Sequence, residues 1–536
     1  MEPTIYFHNR LGGHLRFVRI GLLLVLFAAI AQFASFGIIQ AHVISFYGAQ
    51  PEDITFVFQI AYVGIIATLP IMFRLVKYFH TRSYLLIAFM TGILLNIGIL
   101  FVQDLVIFAI LRFLTGVITA LIAGCMLIVI FSTLPASKST LIGVSLFFSL
   151  ILTGGLLIGI GASRIVGTTD WTALYYILIG FQVTAILLVL LLFKATPARK
   201  PYPLYQIDWF GYALFVFGAA AAGFVMIYGP KRYWFADPLI RNTALFAVFM
   251  ITLFLYRQST LKRPLIDLGV FKSGKFIFGL VLMLLFFGIK DTINFIYGYA
   301  SSVLGWSSRD VVNAGLFNVA GVIMATFIVV KVILANKQNL PKLLLAGFAI
   351  LFGYHVWGYL YLTPDLSFAE VCIPVFFQGF ASGLLFVPIS VLCLASIPQT
   401  ATPTGITVLT YTRFIATLNS IAGFYTLQLN YNQHFKISFL GKLIPGSDAL
   451  AQRQELYKGL LTSKGYGAGE ATGISNALIA KSTGIQSQLL TIRAIFYIGA
   501  VVTAVAFTLL IIFAVVNKVK AAREAKSIDK KQIVAA

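Results

Sequence analysis

Charge is what this chain has least of. Of its 536 residues only 10% are Asp, Glu, Lys or Arg, and the acidic ones number 17. A soluble globular domain carries about 25% charged residues, so this composition cannot supply a water-facing surface, and a soluble enzyme is excluded. Cysteine is scarcer still: Cys125, Cys372 and Cys393 lie in apolar runs without metal-ligand spacing and read as small buried hydrophobes. The six histidines, His8, His14, His42, His80, His355 and His434, are scattered, with no HExxH or Asp-rich cluster. They read as interfacial or tail residues, which leaves an intramembrane metalloenzyme without ligands. No G-x-x-x-x-G-K-[ST] stretch is present, so ATP is not the direct energy source, and no cofactor is expected.

What the chain has in excess is apolar length. Hydrophobic residues make up 60% of it and the mean hydropathy is +0.94. A bilayer core about 30 Å thick takes roughly 20 apolar residues per helix. Fourteen such runs are centred on residues 15–42, 54–76, 83–103, 105–131, 139–163, 172–193, 209–229, 239–256, 276–300, 310–332, 342–362, 367–395, 403–428 and 492–516. A transmembrane barrel would instead show alternating segments of about ten residues, so the expected fold is an all-α polytopic membrane protein in the lipid bilayer. The first run is too long for a signal-peptide core and has no clear A-x-A site, so it is expected to remain as a helix, with the N-terminus in the cytoplasm.

The net charge of +22 does not indicate a nucleic-acid partner, because most of the basic residues fall on one side of this topology. Arg10, Arg16 and Arg19, Arg74, Lys77 and Arg82, Arg199 and Lys200, Lys262, Arg263, Lys272 and Lys275, and the tail from Lys518 to Lys531 follow the positive-inside rule. Lys231, Arg232 and Arg241 are the exception, on the outer side. The spans group as 1–193, a six-helix bundle; 194–275, two basic links and two inserted helices; and 276–516, a second six-helix bundle carrying a polar outer loop at 429–491, with a basic tail at 517–536. Six, two and six spans fit a transporter of two repeats with an inserted pair, whose substrate site lies near the midplane between them; a fourteen-span count also fits some polysaccharide exporters and proton-pumping subunits, and the motifs decide.

Arg112 and Gly116 in LRFLTG lie on one helical face of the fourth span. A guanidinium there costs about 2.5–3.5 kcal/mol to insert, which favours a role facing a cavity over a structural pairing. With AYVGIIATLPIMFRLVKYFHTR at 61–82 and TTDWTALYYILIG at 168–180, this pattern resembles the major facilitator superfamily. DWFGYALF at 208–215, RPLIDLGVFKSGKF at 263–276, GFASGLLFVPIS at 379–390 and GITVLTYTRF at 405–414 resemble its fourteen-span drug:proton antiporter subfamily. The resemblance implies a proton-coupled exporter of amphipathic small molecules, working by alternating access in the inner membrane. It also implies that the loop at 429–491, otherwise a solvated connection, can dock a periplasmic adaptor and outer-membrane channel. There are departures. Where the family's loop after span two has a glycine, an aspartate and a second glycine, this chain has Phe73, Lys77 and His80, which leaves Arg74, Lys77 and Arg82 as its gating residues. The first span has no acid in SFGIIQAH, Gln40 being the nearest polar residue, and the glycine-rich stretch after Arg413 is replaced by FIATLNS.

Carboxylates for proton coupling are therefore few. Glu52, Asp53, Asp104, Asp170, Asp310 and Asp365 read as loop or span-edge residues, Asp208 and Asp267 as cytoplasmic. Asp291 and, near the outer end of span twelve, Glu370 read as embedded. Asp291 follows Lys290 in FFGIKDTINFIYGY. Three arrangements are open: a titrating carrier, since adjacent helical residues point about 100° apart; a static ion pair; or a span boundary that leaves both near water. In the second, Lys290, Arg112 and Arg413 would line a basic cavity for an anionic metabolite, taken up by the same fold. Asn294, Phe295, Tyr297 and Tyr299 share the span, as lining for a flat amphiphile or as lipid-facing surface. Gln378 and Asn419 would line the cavity or join helices by hydrogen bonds.

Overall fold

The computed structural model describes residues 6–8, 14–135, 139–166, 170–195, 204–444 and 446–535. Arg10, Arg199, Lys200, Thr168 and Thr169 and the side chains of the basic tail lie outside the described residues. The chain runs through α1 (Leu15–Ala34), α2 (Phe36–Tyr47), α3 (Pro51–Tyr78), α4 (Thr81–Phe101), α5 (Leu105–Ser132), α6 (Ser139–Val166) and α7 (Ala173–Leu192). The inserted pair is α8 (Trp209–Tyr228) and α9 (Pro238–Thr260). Then follow α10 (Gly274–Lys290), α11 (Ile293–Ser302), α12 (Ser308–Ala335), α13 (Leu340–Tyr361), α14 (Phe368–Ala395), α15 (Thr402–Leu440), α16 (Asp448–Ser463) and α17 (Ala468–Ala535).

Among the described residues, thirteen helical segments are long and apolar enough to cross a membrane. They follow the expected order except at 403–428, which is the first part of α15; Thr, Asn, Gln and Arg413 lower its hydropathy below that of its neighbours. The expectation of a 63-residue loop after it, at 429–491, is corrected. At 1.5 Å per residue, the 39 residues of α15 extend about 58 Å, far beyond the bilayer core, and α16 and the start of α17 complete a helical projection. Polar composition reads as loop in a hydropathy scan, but a helix emerging into water needs polar residues just as much.

Two expected spans are broken. The first divides at Ser35 into α1 and α2, and the ninth divides at Asp291 and Thr292 into α10 and α11. Neither break contains proline, and each is met by a side chain from another helix, which is one recognised cause of a kink.

Two sets of helices pack as a repeat. The closest pairs are α3 with α5 and α12 with α14, and both rely on glycine at matching positions. A Cβ on Gly116 of α5 would stand 1.9 Å from the Ala61 carbonyl oxygen of α3, and one on Gly379 of α14 would stand 2.1 Å from that of Asn318 on α12. Small residues let membrane helices approach this closely. The halves meet where α6 packs on α12 and α3 on α15. The inserted α8 bridges that second seam, contacting both α3 and α15, with Phe215 stacked 4.5 Å from Tyr411.

The inserted pair is fastened to α3 at both ends. On the basic-link side, Arg74 donates from Nη1 to the Gln206 carbonyl and from Nη2 to the Pro264 carbonyl, both at 3.0 Å. At the opposite end, where α16 lies, Lys231 pairs with Glu52 at 2.7 Å, and the Tyr228 hydroxyl donates to Asp53. Two of the three basic exceptions in the charge pattern are thereby explained: Lys231 is neutralised by Glu52, and Arg232 by Asp237 at 3.3 Å, while Arg241 is exposed.

Candidate functional site: the seam between the two halves

The break in the ninth span fixes the geometry. With Asp291 at φ −78° and ψ 2° at the end of α10, its carboxylate turns back, and Lys290 Nζ lies 2.8 Å from Asp291 Oδ1. Both side chains are about one-fifth exposed, at 23% and 22%. A continuous helix would have held them apart; the pairing follows from the helix ending between them. Lys290 Nζ also stands 5.8 Å from the Phe287 ring, and Arg413 of α15 lies 5.3 Å from the same ring. Phe287 is thus a shared aromatic platform for two cations, and Arg413 reaches across the seam to within 5.8 Å of the Tyr62 ring on α3.

Two cavities open along this seam. The larger, about 520 Å³, faces the α16 side and is lined by Glu52 and Phe58 of α3, by Asp291, Asn294 and Phe295, and by Phe424, Tyr425 and Gln428 of α15. The smaller, about 150 Å³, has Arg413, Tyr62 and Thr410 at one wall and Met72, Phe73 and Phe147 among its apolar lining. Asp291 and Arg413 therefore serve different chambers on either side of the same layer. Among the described residues no carboxylate is paired with Arg413.

Other sequence candidates fall elsewhere. Arg112 faces neither cavity. It is 1% exposed, donates to the Gln32 carbonyl at 3.2 Å and the Phe33 carbonyl at 3.4 Å, and lies 4.4 Å from the Phe36 ring. It fastens the α1–α2 break, so the three cations do not form one basic cavity. Gln378 has the matching role in the other half: its Nε2 donates to the Lys290 carbonyl at 2.9 Å, and its Oε1 accepts from Asn318 at 2.6 Å. Glu370 is not embedded. It is exposed and forms a capping box with Ser367 at the start of α14, which accounts for its acidity by local helix geometry. Tyr299 is buried and donates to the Thr363 carbonyl, so of the aromatic residues in that stretch only Phe295 lines the larger cavity. Of the gating residues, Arg74 binds both links, Lys77 is exposed and Arg82 is half-buried. Asn419 is exposed.

Sequence reading missed two residues. Glu52 stands at the span edge, in the first turn of α3, but is buried and walls the larger cavity, which its edge position did not indicate; the unexpected Lys231 opposite it was the available signal. His355 is wholly buried beside the α10–α11 break and neither interfacial nor in a tail; nothing in its local sequence separates it from an ordinary span residue.

Two helical repeats packed through matched glycines, with two cavities opening along the seam between them, are the architecture of a membrane transporter, not an enzyme. The Major Facilitator Superfamily model matches residues 21–420, and the chain belongs to that family. It is 24% identical over 254 residues to the multidrug export protein EmrB of Escherichia coli K12, covering 46% of this chain and 48% of the relative; the match thus spans about half the length of that protein. Among solved structures, the human organic anion transporter MFSD10 aligns over 92% of this chain and 99% of its own, with a TM-score of 0.54 at 11% identity. The xylose transporter XylE of E. coli, in an inward-open conformation, aligns over 77% of this chain and 90% of its own, with a TM-score of 0.50 at 13% identity. Both likenesses are of fold.

Proposed function

We propose that this transporter exports amphipathic small molecules in exchange for protons, by alternating access of the seam to the two sides of the membrane. The reading rests on one observation above all: Asp291, held by Lys290, sits at a helix break and opens onto a 520 Å³ chamber walled by both halves. Phe58, Phe295, Phe424 and Tyr425 give that chamber aromatic faces for a flat amphiphile. Asp291 can exchange its Lys290 partner for a substrate cation or a proton, and one carboxylate serving both makes their binding mutually exclusive, as antiport requires. The partial likeness to a multidrug exporter agrees with this. In the same reading the protein lies in an inner membrane with both termini cytoplasmic, and the α15–α17 projection is the surface for a periplasmic adaptor and its outer-membrane channel.

A second reading, uptake of an anionic metabolite, is favoured by Arg413, a cation without a carboxylate partner in the smaller chamber. Efflux of fluorescent amphipathic cations and anions from a pump-deficient bacterial host separates the two. Wild type and Asp291→Asn are compared with and without a protonophore. Energy-dependent efflux of cations that is lost in a membrane-inserted Asp291→Asn variant supports the first reading. Efflux that persists in the variant removes Asp291 from coupling, and gradient-independent movement of anions alone establishes the second.

A further inference from the structure

Beneath the Lys290–Asp291 pair lies a proton that the surrounding groups cannot share. His355 of α13 places Nδ1 2.8 Å from the Leu351 carbonyl, a group that only accepts, so Nδ1 carries a hydrogen. Its Nε2 is 3.2 Å from Thr292 Oγ1, and that hydroxyl is 2.8 Å from the Ile289 carbonyl. The hydroxyl has one hydrogen to give. With neutral His355, the hydroxyl donates to Nε2 and gives up its bond to the Ile289 carbonyl, which then keeps the Thr292 backbone N–H alone; donating to the carbonyl instead would set two lone pairs face to face at Nε2. With His355 protonated, Nε2–H donates to Thr292, Thr292 donates to Ile289, and every contact is satisfied.

The Ile289 carbonyl is no ordinary acceptor. It closes the last turn of α10, also taking the Thr292 backbone N–H at 3.2 Å, and that turn presents Lys290 and Asp291. We propose that His355 is a positioning residue for this hinge: its protonation decides where the Thr292 hydrogen goes, and so whether the turn carrying Lys290 and Asp291 is pinned or released.

The groups around the ring leave His355 as the residue able to do this. From α10 and α11 come Lys290 and Asp291, already paired with each other, and Tyr297 with a buried hydroxyl. Tyr354 flanks the ring on α13 at 5.1 Å. On α14, Gln378 occupies the Lys290 carbonyl, and Cys372 is buried. The α17 face is uncharged: Phe496 lies 5.6 Å away, Gly499 leaves the space the ring fills, and Arg493 is held on the Tyr359 and Leu360 carbonyls.

The test is amide hydrogen exchange of the 286–299 segment in the full-length protein in lipid nanodiscs, corrected for intrinsic rates, from about pH 4 to pH 8. In wild type, protection of this segment is expected to rise about tenfold on acidification, as a charge-assisted hydrogen bond is added. His355→Gln and Thr292→Val flatten the profile, whereas Thr292→Ser and Asp291→Asn keep it. A flat wild-type profile overturns the proposal, as does a transition retained in His355→Gln or abolished by Asp291→Asn. If His355→Gln does not fold, judged by gel filtration, Thr292→Val decides alone, since it leaves the imidazole in place and removes only the relay. Because Asp291→Asn is expected to keep the profile, failure here and failure of proton-coupled export give different results.

Discussion

Replacing Arg112 with methionine tests whether this buried cation fastens a helix break or serves transport. The side chain loses two charge-assisted hydrogen bonds, to the Gln32 and Phe33 carbonyls at 3.2 and 3.4 Å. At these long distances each contributes about 1.5 kcal/mol, the lower end of the range. The contact with Phe36 at 4.4 Å adds about 2 kcal/mol when desolvated. Against the sum of about 5 kcal/mol, methionine removes the cost of keeping a guanidinium in the membrane, about 3 kcal/mol. The expected net loss is about 2 kcal/mol, roughly thirtyfold in the unfolding equilibrium. Arg112→Lys keeps the cost of burial but cannot span both carbonyls with a rigid fork, so it is expected to be no more stable than methionine. Equilibrium unfolding in mixed detergent micelles, followed by circular dichroism, measures both. A methionine variant as stable as wild type, or a lysine variant that restores full stability, would refute the assignment of Arg112 as a fastener.

Three further outcomes follow from the geometry. Gly116→Val and Gly379→Val drive a side chain into the Ala61 and Asn318 carbonyls and are expected to abolish monodisperse protein on gel filtration. Gly288→Ala, which meets nothing within 4 Å, should leave the elution profile unchanged. The Lys231–Glu52 pair is 43% exposed on the lysine side, so its coupling in a double-mutant cycle of Lys231→Met and Glu52→Gln should not exceed about 1 kcal/mol; several kcal/mol would mean that the rim is dry. The hydrogen bond that Lys231 donates to Glu52 raises it above its usual 10.5. Its contribution is therefore complete below pH 10.5 and lost only as the pH climbs through the higher folded value. The melting-temperature difference between wild type and Lys231→Met should stay constant through neutral and mildly alkaline pH; a decline already between about pH 7 and pH 9 would contradict it.

The helices and their order were legible because the bilayer sets one strong rule, an apolar run of fixed length, and composition satisfies it repeatedly. The rule fails where it should. Within 429–491 the polar residues of α15, α16 and the start of α17 are helical, since outside the bilayer hydropathy no longer reports helix. Residues 403–428 carry Thr410, Arg413 and Thr417 because α15 lines the seam cavities. The site was half legible. Asp291, Asn294 and Arg413 were picked out as rare polar groups in apolar surroundings, and all three line cavities. Arg112, Gln378 and Glu370 gave the same signal for other reasons: two hold helix breaks and one caps a helix. Scarcity marks a polar residue that needs a partner, and it does not say whether the partner is a substrate, a carbonyl or a serine.

By itself the sequence determined that this chain spans a membrane many times and that few acids lie within its apolar runs. Each follows from local composition, which acts wherever the residue sits. Only the tertiary structure decided that Lys290 and Asp291 pair, that Lys231 neutralises Glu52, and that His355 lies against Thr292. The first depends on where a helix stops, and the others join groups 179 and 63 residues apart. Contacts of that kind arise from which faces the packed helices present to one another, and no local pattern encodes them.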